Sequence, residues 1–119
     1  MIYGIGTDIT KVSRFEKWVK NEEFIKRFFN PQEIMENGSL NAKCEHYAAR
    51  FAAKEAVYKA ISPEKNSNAA FTEVEILSEE SGRPYVVLHG ELKKIIDSKR
   101  IEVSLSHERE FAIAFAIVT

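Results

Sequence analysis

Two acidic side chains in this 119-residue chain are hard to read as ordinary surface, Asp8 and Glu55. Glu55 lies within RFAAKEAVYKA, residues 50–60, which reads as helix from end to end. At about 100° per residue, Tyr47, Ala48, Phe51, Ala52, Glu55 and Tyr58 share one face. An ionised carboxylate in such an apolar stripe is costly unless it is paired, hydrogen-bonded or bound to a metal. Asp8 lies near the end of the segment IYGIGTDI, which alternates as a strand: Tyr3, Ile5, Thr7 and Ile9 on one face, Gly4, Gly6 and Asp8 on the other. Glycine weakens a strand and marks close approach by something else. A helix laid on that bare face brings Asp8 and Glu55 together. Two carboxylates without cysteine or histidine partners suit Mg²⁺, a hard cation that takes one or two carboxylates plus phosphate oxygens. Lys59, one turn beyond Glu55 on the same face, is placed to neutralise a phosphate beside the metal.

Plainer readings exist for each residue. Glu55 with Lys59 is also an i,i+4 helix pair, worth about 0.2–0.5 kcal/mol, and Asp8 could cap a helix that starts near Thr10. Arg50 and Lys54 lie one turn apart on a neighbouring face, with His46 another turn back. Ser106 and His107 end the strand segment SLSH where the chain turns, a common place for ligand contacts, although a hairpin histidine is more often structural. Gly82-Arg83-Pro84 alone is just a turn. His46 and His89 have no partner that sequence assigns, Cys44 reads as inert packing, and Glu33 on a short helix reads as surface. No nucleophile–base motif, P-loop, dinucleotide fingerprint or zinc spacing occurs.

The elements that must carry these residues follow from periodicity. KVSRFEKWVK and EEFIKRFF read as amphipathic helices, the first burying Val12, Phe15, Trp18 and Val19. Asn30-Pro31 reads as an N-cap and first helical residue, opening a short helix through Glu36 that Asn37-Gly38 stops. A long helix spans about Asn41 to Ile61, followed by Pro63 and a polar loop over EKNSN. FTEVEIL and PYVVLH read as strands joined by the turn SEESGR, then a helix over GELKKIIDSK and strands IEVSLSH and FAIAFAIV. In the last strand Phe111, Ile113, Phe115 and Ile117 oppose Ala112, Ala114 and Ala116, a small-residue face that matches the glycine face of the first. The expected fold is a single α+β domain over residues 1–119, an antiparallel sheet wrapped around a long central helix.

A hydrophobic content of 45% and a charged content of 29% are those of a soluble globular protein, and the net charge of −1 announces neither nucleic acid nor membrane. Segment 11–29 is nonetheless basic, with Lys11, Arg14, Lys17, Lys20, Lys26 and Arg27 against Glu16, Glu22 and Glu23, either a solvated face or a dock for an acidic partner. The single cysteine excludes an intramolecular disulfide. No signal peptide and no apolar run of about 20 residues is present, so a cytoplasmic location is expected.

Taken in order, GIGTDI, RFAAKEAVYKA, SGRPYV and VSLSH resemble the holo-acyl-carrier-protein synthases, the small bacterial 4′-phosphopantetheinyl transferases, over nearly the whole chain. The resemblance implies Mg²⁺-dependent transfer of phosphopantetheine from coenzyme A to a serine of acyl carrier protein, releasing adenosine 3′,5′-bisphosphate. It implies a homotrimer with active sites between neighbouring chains. By motif, Asp8 and Glu55 hold Mg²⁺ and, with Lys59 on a phosphate, form the catalytic set. Arg50, Lys54, Lys59, Ser106 and His107 grip coenzyme A, with Gly82, Arg83 and Pro84 near the adenine. Arg14, Lys17 and Lys20 form a basic ridge that docks the acidic carrier protein. The serine proton passes to Glu55, to Glu33 or to a water on the metal, three alternatives that sequence leaves open. Where the family has a glycine-rich turn after this helix, the chain reads ISPEKNSNAAF, without glycine. Two rival classes are a non-catalytic module that binds an acidic protein, and a magnesium-dependent phosphohydrolase.

Overall fold

Small residues decide how the two layers of this protein meet. The computed structural model describes residues 1–63 and 69–119, so the loop expected over EKNSN lies outside the described residues. Strand β1 (Gly4–Lys11) pairs antiparallel with the last strand, β5 (Phe111–Val118), in a register running from Gly4↔Val118 to Lys11↔Phe111. Strand β4 (Ile101–His107) adds to the other side of β5, from Ile101↔Val118 to His107↔Ala112, giving the order β1-β5-β4. Strands β2 (Val74–Ser78) and β3 (Pro84–Leu88) form a separate antiparallel hairpin. The antiparallel strands expected around the helix thus form a three-stranded sheet and a two-stranded hairpin.

Helix α2 (Leu40–Ile61) starts where Ser39 Oγ accepts the Ala42 amide at 3.0 Å. It packs against β1, β5, β4, β2 and α3 (Gly90–Ile96). Buried residues fall on every side of it, as in a helix enclosed by the core. On the sheet it meets Ala112, Ala114 and Ala116, all fully buried, and the glycines of β1. A Cβ on Gly6 would run into the Ala56 carbonyl, and one on Gly4 into the Ala60 carbonyl. The opposite face of the same strands leaves Ile5, Ile9, Ile113 and Phe115 exposed.

Between β1 and α2 the chain departs from the expected pattern. Residues 11–20 do not form an α-helix. Val12–Phe15 is a 3₁₀ turn, in which residues three apart stack on one side and both Val12 and Phe15 reach the core. Helix α1 (Glu22–Phe28) follows, capped by Asn21, whose side chain accepts the Phe24 amide at 3.1 Å. The next short helix is a 3₁₀ turn, Pro31–Glu33, that ends three residues early. Residues 71–73 likewise form a 3₁₀ turn, so β2 begins at Val74. There Glu73 accepts the amides of Ala70 at 3.0 Å and Leu92 at 2.9 Å.

Glu33 explains the first of these early ends. It is fully buried, not surface, and its carboxylate accepts the Asn30 amide at 2.9 Å and the Ile76 amide at 2.9 Å. Lys54 meets it at 2.7 Å, itself fully buried, and donates to the Val74 carbonyl at 2.6 Å. The rings of Phe29 and Phe71 lie 5.3 and 5.6 Å from the ammonium. Burial pushes the Lys54 pKa down, and Glu33 pulls it back. Lys54 therefore ties α2 to β2 and to the 31–33 turn. The expectation that it contacts coenzyme A gives way, because its ammonium is enclosed.

Two stability outcomes follow. Gly6→Ala should lower the unfolding free energy in urea by about 2 kcal/mol or more, because the methyl meets helix backbone that cannot rotate away. Lys54→Met should cost about 3–5 kcal/mol by stranding the buried Glu33 charge, and adding Glu33→Gln should recover much of that loss in the same measurement.

Candidate active site

Asp8 stands on the helix-facing side of β1, its side chain 17% exposed. Thr10, two residues on and therefore on the same face, is buried and donates its hydroxyl to Asp8 Oδ2 at 3.0 Å. The Lys59 ammonium reaches across from α2 to Asp8 Oδ1 at 3.2 Å and to the Thr7 carbonyl at 3.1 Å. Of the two plain readings, neither holds among the described residues. Lys59 pairs with Asp8, not with Glu55, and the 3₁₀ turn after β1 takes no side-chain cap from Asp8.

Glu55, one turn before Lys59, is half-buried. Burial foremost, and then the Asp8 charge, raise its carboxyl above the ordinary carboxylate range, with Lys59 and Arg14 pulling the other way. An Asp8 charge close enough to disfavour the ionised form of Glu55 makes a site that a cation would relieve. No group of three histidine, cysteine or acidic residues gathers among the described residues. A cation bound here would have two protein carboxylates as ligands, with its other positions left to water and phosphate oxygens. That donor set fits Mg²⁺.

The basic ridge adjoins this cluster. The Arg14 guanidinium lies 5.2 Å from the centre of the Trp18 ring and 5.5 Å from that of Phe51, and the Lys17 ammonium 5.8 Å from Trp18. Trp18 in turn stacks on Phe24 at 4.5 Å. Lys20 is exposed. Arg14 and Lys17 thus rest on aromatic rings, and Arg14 lies near enough to Glu55 to act on its charge.

Arg50 donates to Ser78 Oγ at 3.3 Å, while its buried Nε has no partner among the described residues. Ser78 is opposite Pro84 in the β2–β3 hairpin, so Arg50 lies near the Gly82-Arg83-Pro84 turn. Gly82 has φ +92°, a left-handed conformation that favours glycine. Arg83 pairs with Glu102 of β4 at 3.2 Å. Ser106 and His107 are exposed at the end of β4, in register with Ile113 and Ala112. β5 separates them from β1, about 10 Å of sheet at the usual strand spacing. Within one chain the expected residues are therefore spread out. Asp8, Glu55 and Lys59 lie with Arg14 where α2 crosses β1. Arg50 lies near the 82–84 turn, whose Arg83 meets Glu102 at the start of β4, and Ser106 and His107 stand at the far end of that strand.

The remaining side chains have structural partners. Glu33, considered as a base, is enclosed with Lys54. His46 sits 2.6 Å from the Glu33 carbonyl, so its Nε2 is the donor. Burial and then Arg50 lower its pKa to about 4, keeping it neutral. His89, assigned no partner by sequence, meets Glu75 at 3.0 Å. Cys44 is buried packing, as expected. Thr10 and Ser78 were missed. The period of two that placed Asp8 also places Thr10 beside it, whereas nothing local marks Ser78.

Comparison with known proteins bears on the fold and the family. The 4′-phosphopantetheinyl transferase superfamily model matches residues 4–116. The holo-[acyl-carrier-protein] synthase of Ruminiclostridium cellulolyticum is 45% identical over 97% of this chain and 90% of its own. The crystal structure of the Neisseria meningitidis holo-[acyl-carrier-protein] synthase superposes with a TM-score of 0.85 at 31% identity, covering 100% of this chain and 99% of that one. The Helicobacter pylori enzyme in complex with coenzyme A gives 0.81 at 32% identity, covering 97% and 99%. With the fold, the order of motifs and these full-length matches in agreement, the chain belongs to the holo-[acyl-carrier-protein] synthases of the 4′-phosphopantetheinyl transferase superfamily.

Proposed function

We propose that this protein transfers the 4′-phosphopantetheine group of coenzyme A to a serine of apo acyl carrier protein, in the cytoplasm. The observation that carries the reading is the meeting of Asp8, Glu55 and Lys59 where α2 crosses β1. The carrier serine hydroxyl attacks the β-phosphorus of coenzyme A, an O–P bond forms, and the bond to adenosine 3′,5′-bisphosphate breaks in line with it. Asp8 and Glu55 would hold Mg²⁺, which when bound neutralises charge on the pyrophosphate oxygens. Lys59 meets a phosphate oxygen, and Arg50 supplies a second cationic contact through its terminal guanidinium nitrogens, one of which reaches Ser78 Oγ at 3.3 Å. Holding both substrates in line supplies much of the remaining acceleration. Of the two side chains considered as base, Glu55 alone is at this cluster, since Glu33 is buried with Lys54.

The distance of Ser106 and His107 from Asp8 within one chain, across β5, supports a site shared between neighbouring chains. We propose a homotrimer in which Gly82, Arg83, Pro84, Ser106 and His107 of one protomer complete the coenzyme A site of its neighbour. The exposed apolar outer face of β1 and β5, with Ile5, Ile9, Ile113 and Phe115, supports association with further copies. A basic ridge over aromatic rings suits an acidic carrier with an apolar edge, attracted by charge and held by contact.

The decisive measurement is mass spectrometry of apo carrier protein incubated with enzyme, Mg²⁺ and coenzyme A, where a gain of one phosphopantetheine is expected. Asp8→Asn and Glu55→Gln should each lower that transfer by about a hundredfold or more with the fold intact. Near-normal turnover by either variant at ordinary Mg²⁺ concentrations sinks the assignment. Arg14→Glu tests docking separately. Steady-state kinetics should show the KM for carrier protein raised about tenfold or more at low salt while the affinity for coenzyme A is nearly unchanged. A change in carrier-protein KM within about twofold removes the docking role from this segment.

A further inference from the structure

Lys59 and a divalent cation need the same atom. Asp8 has two carboxylate oxygens, and their partners differ in kind. Oδ2 is held by the Thr10 hydroxyl, and Thr10 is 1% exposed and fixed in β1. Oδ1 is held by the Lys59 ammonium, whose side chain is 53% exposed on a flexible four-carbon stem. The same ammonium donates to the Thr7 carbonyl of β1, the edge strand of the three-stranded sheet. Of the two bonds to Asp8, only the one at Oδ1 can be exchanged without disturbing the core.

A cation coordinated by Asp8 and Glu55 and an ammonium on Asp8 Oδ1 would repel at close range. Metal entry must therefore move Lys59, and the displaced ammonium needs new negative charge. The pyrophosphate of coenzyme A brings that charge to the metal. We infer that Lys59 is an exchangeable counter-ion, holding Asp8 until a divalent cation replaces it and then passing to the phosphates, so that metal and coenzyme A bind cooperatively through this one side chain. The inference rests on the reading of Asp8 and Glu55 as metal ligands. Each ligand then strengthens the other by the same factor, as linkage requires. Lys59 is in this respect a positioning residue for Asp8 as well as a contact to substrate.

The test is Mn²⁺ binding to the intact protein, counted by electron paramagnetic resonance of the free ion, with and without coenzyme A and with no carrier protein present. Lys59→Met should bind Mn²⁺ about three- to tenfold more tightly than wild type in the absence of coenzyme A, because the competing charge is gone. Coenzyme A should then tighten Mn²⁺ binding less in Lys59→Met than in wild type. Asp8→Asn should weaken Mn²⁺ binding by about tenfold or more. If Asp8→Asn weakens binding as expected but Lys59→Met binds no more tightly than wild type, the counter-ion role is wrong and the metal site stands. An equal tightening by coenzyme A in wild type and Lys59→Met overturns the coupling. If Asp8→Asn binds Mn²⁺ as wild type does, the metal-ligand reading fails and this inference falls with it. Thermal unfolding of Lys59→Met should match wild type, the side chain being half in solvent.

Discussion

Everything at the site depends on how closely α2 approaches the sheet. Gly4 and Gly6 leave β1 without side chains where the carbonyls of Ala60 and Ala56 come down on it, and Ala112, Ala114 and Ala116 do the same along β5. Side chains of ordinary size would hold the layers apart, since interiors pack to near-crystalline density. The contact also sets the rotation of the helix. With its alanine surface turned to the strands, Glu55 and Lys59 emerge at the edge of β1 beside Asp8. The close approach is thus a packing solution and the source of the site.

Two lysines five residues apart on α2 show how burial assigns different work to one residue type. Lys54 is wholly enclosed, paired with Glu33 and capped by the Val74 carbonyl, and it fastens the helix to β2 and to the 31–33 turn. Lys59 is half in solvent, on a carboxylate that itself has a second, fixed partner. A buried pair is costly to break because either charge alone is stranded. An exposed pair is worth about 1 kcal/mol at most and exchanges freely. The first kind suits a scaffold, and the second suits a residue that must change partners. Arg50 lies between these extremes, one bond made to Ser78 and one buried nitrogen without a partner among the described residues.

The strands and the long helix were legible in the sequence because each repeats a period over many residues. β4 and β5 match their expected spans, and α2 begins one residue before its expected start. The pairing of Asp8 with the α2 face was legible too, since small residues on two strands leave one place for an alanine-rich helix. The segments between β1 and α2 were not. Val12 and Phe15 fit either an α-helix or a 3₁₀ turn, and a ten-residue stretch cannot decide between them. Glu33 was misread because a lone glutamate in a short polar stretch reads as surface, and its partner is 21 positions away in the chain.

The class of fold, the surface on which helix and sheet meet, and the acidic and basic residues brought to that meeting are therefore all readable along the chain. These follow from local rules: period, residue size, and the cost of an ionised group in an apolar stripe. Only the tertiary structure decided which charge takes which partner. Lys59 goes to Asp8 and not to Glu55, Lys54 goes inward to Glu33, Arg83 goes to Glu102, and Ser106 and His107 stand apart from Asp8 across β5. The physical reason is that ion pairing is set by distance and burial between distant segments, neither of which spacing along the chain encodes. Two lysines in one helix are alike in sequence, and the difference between them is the depth at which each ends.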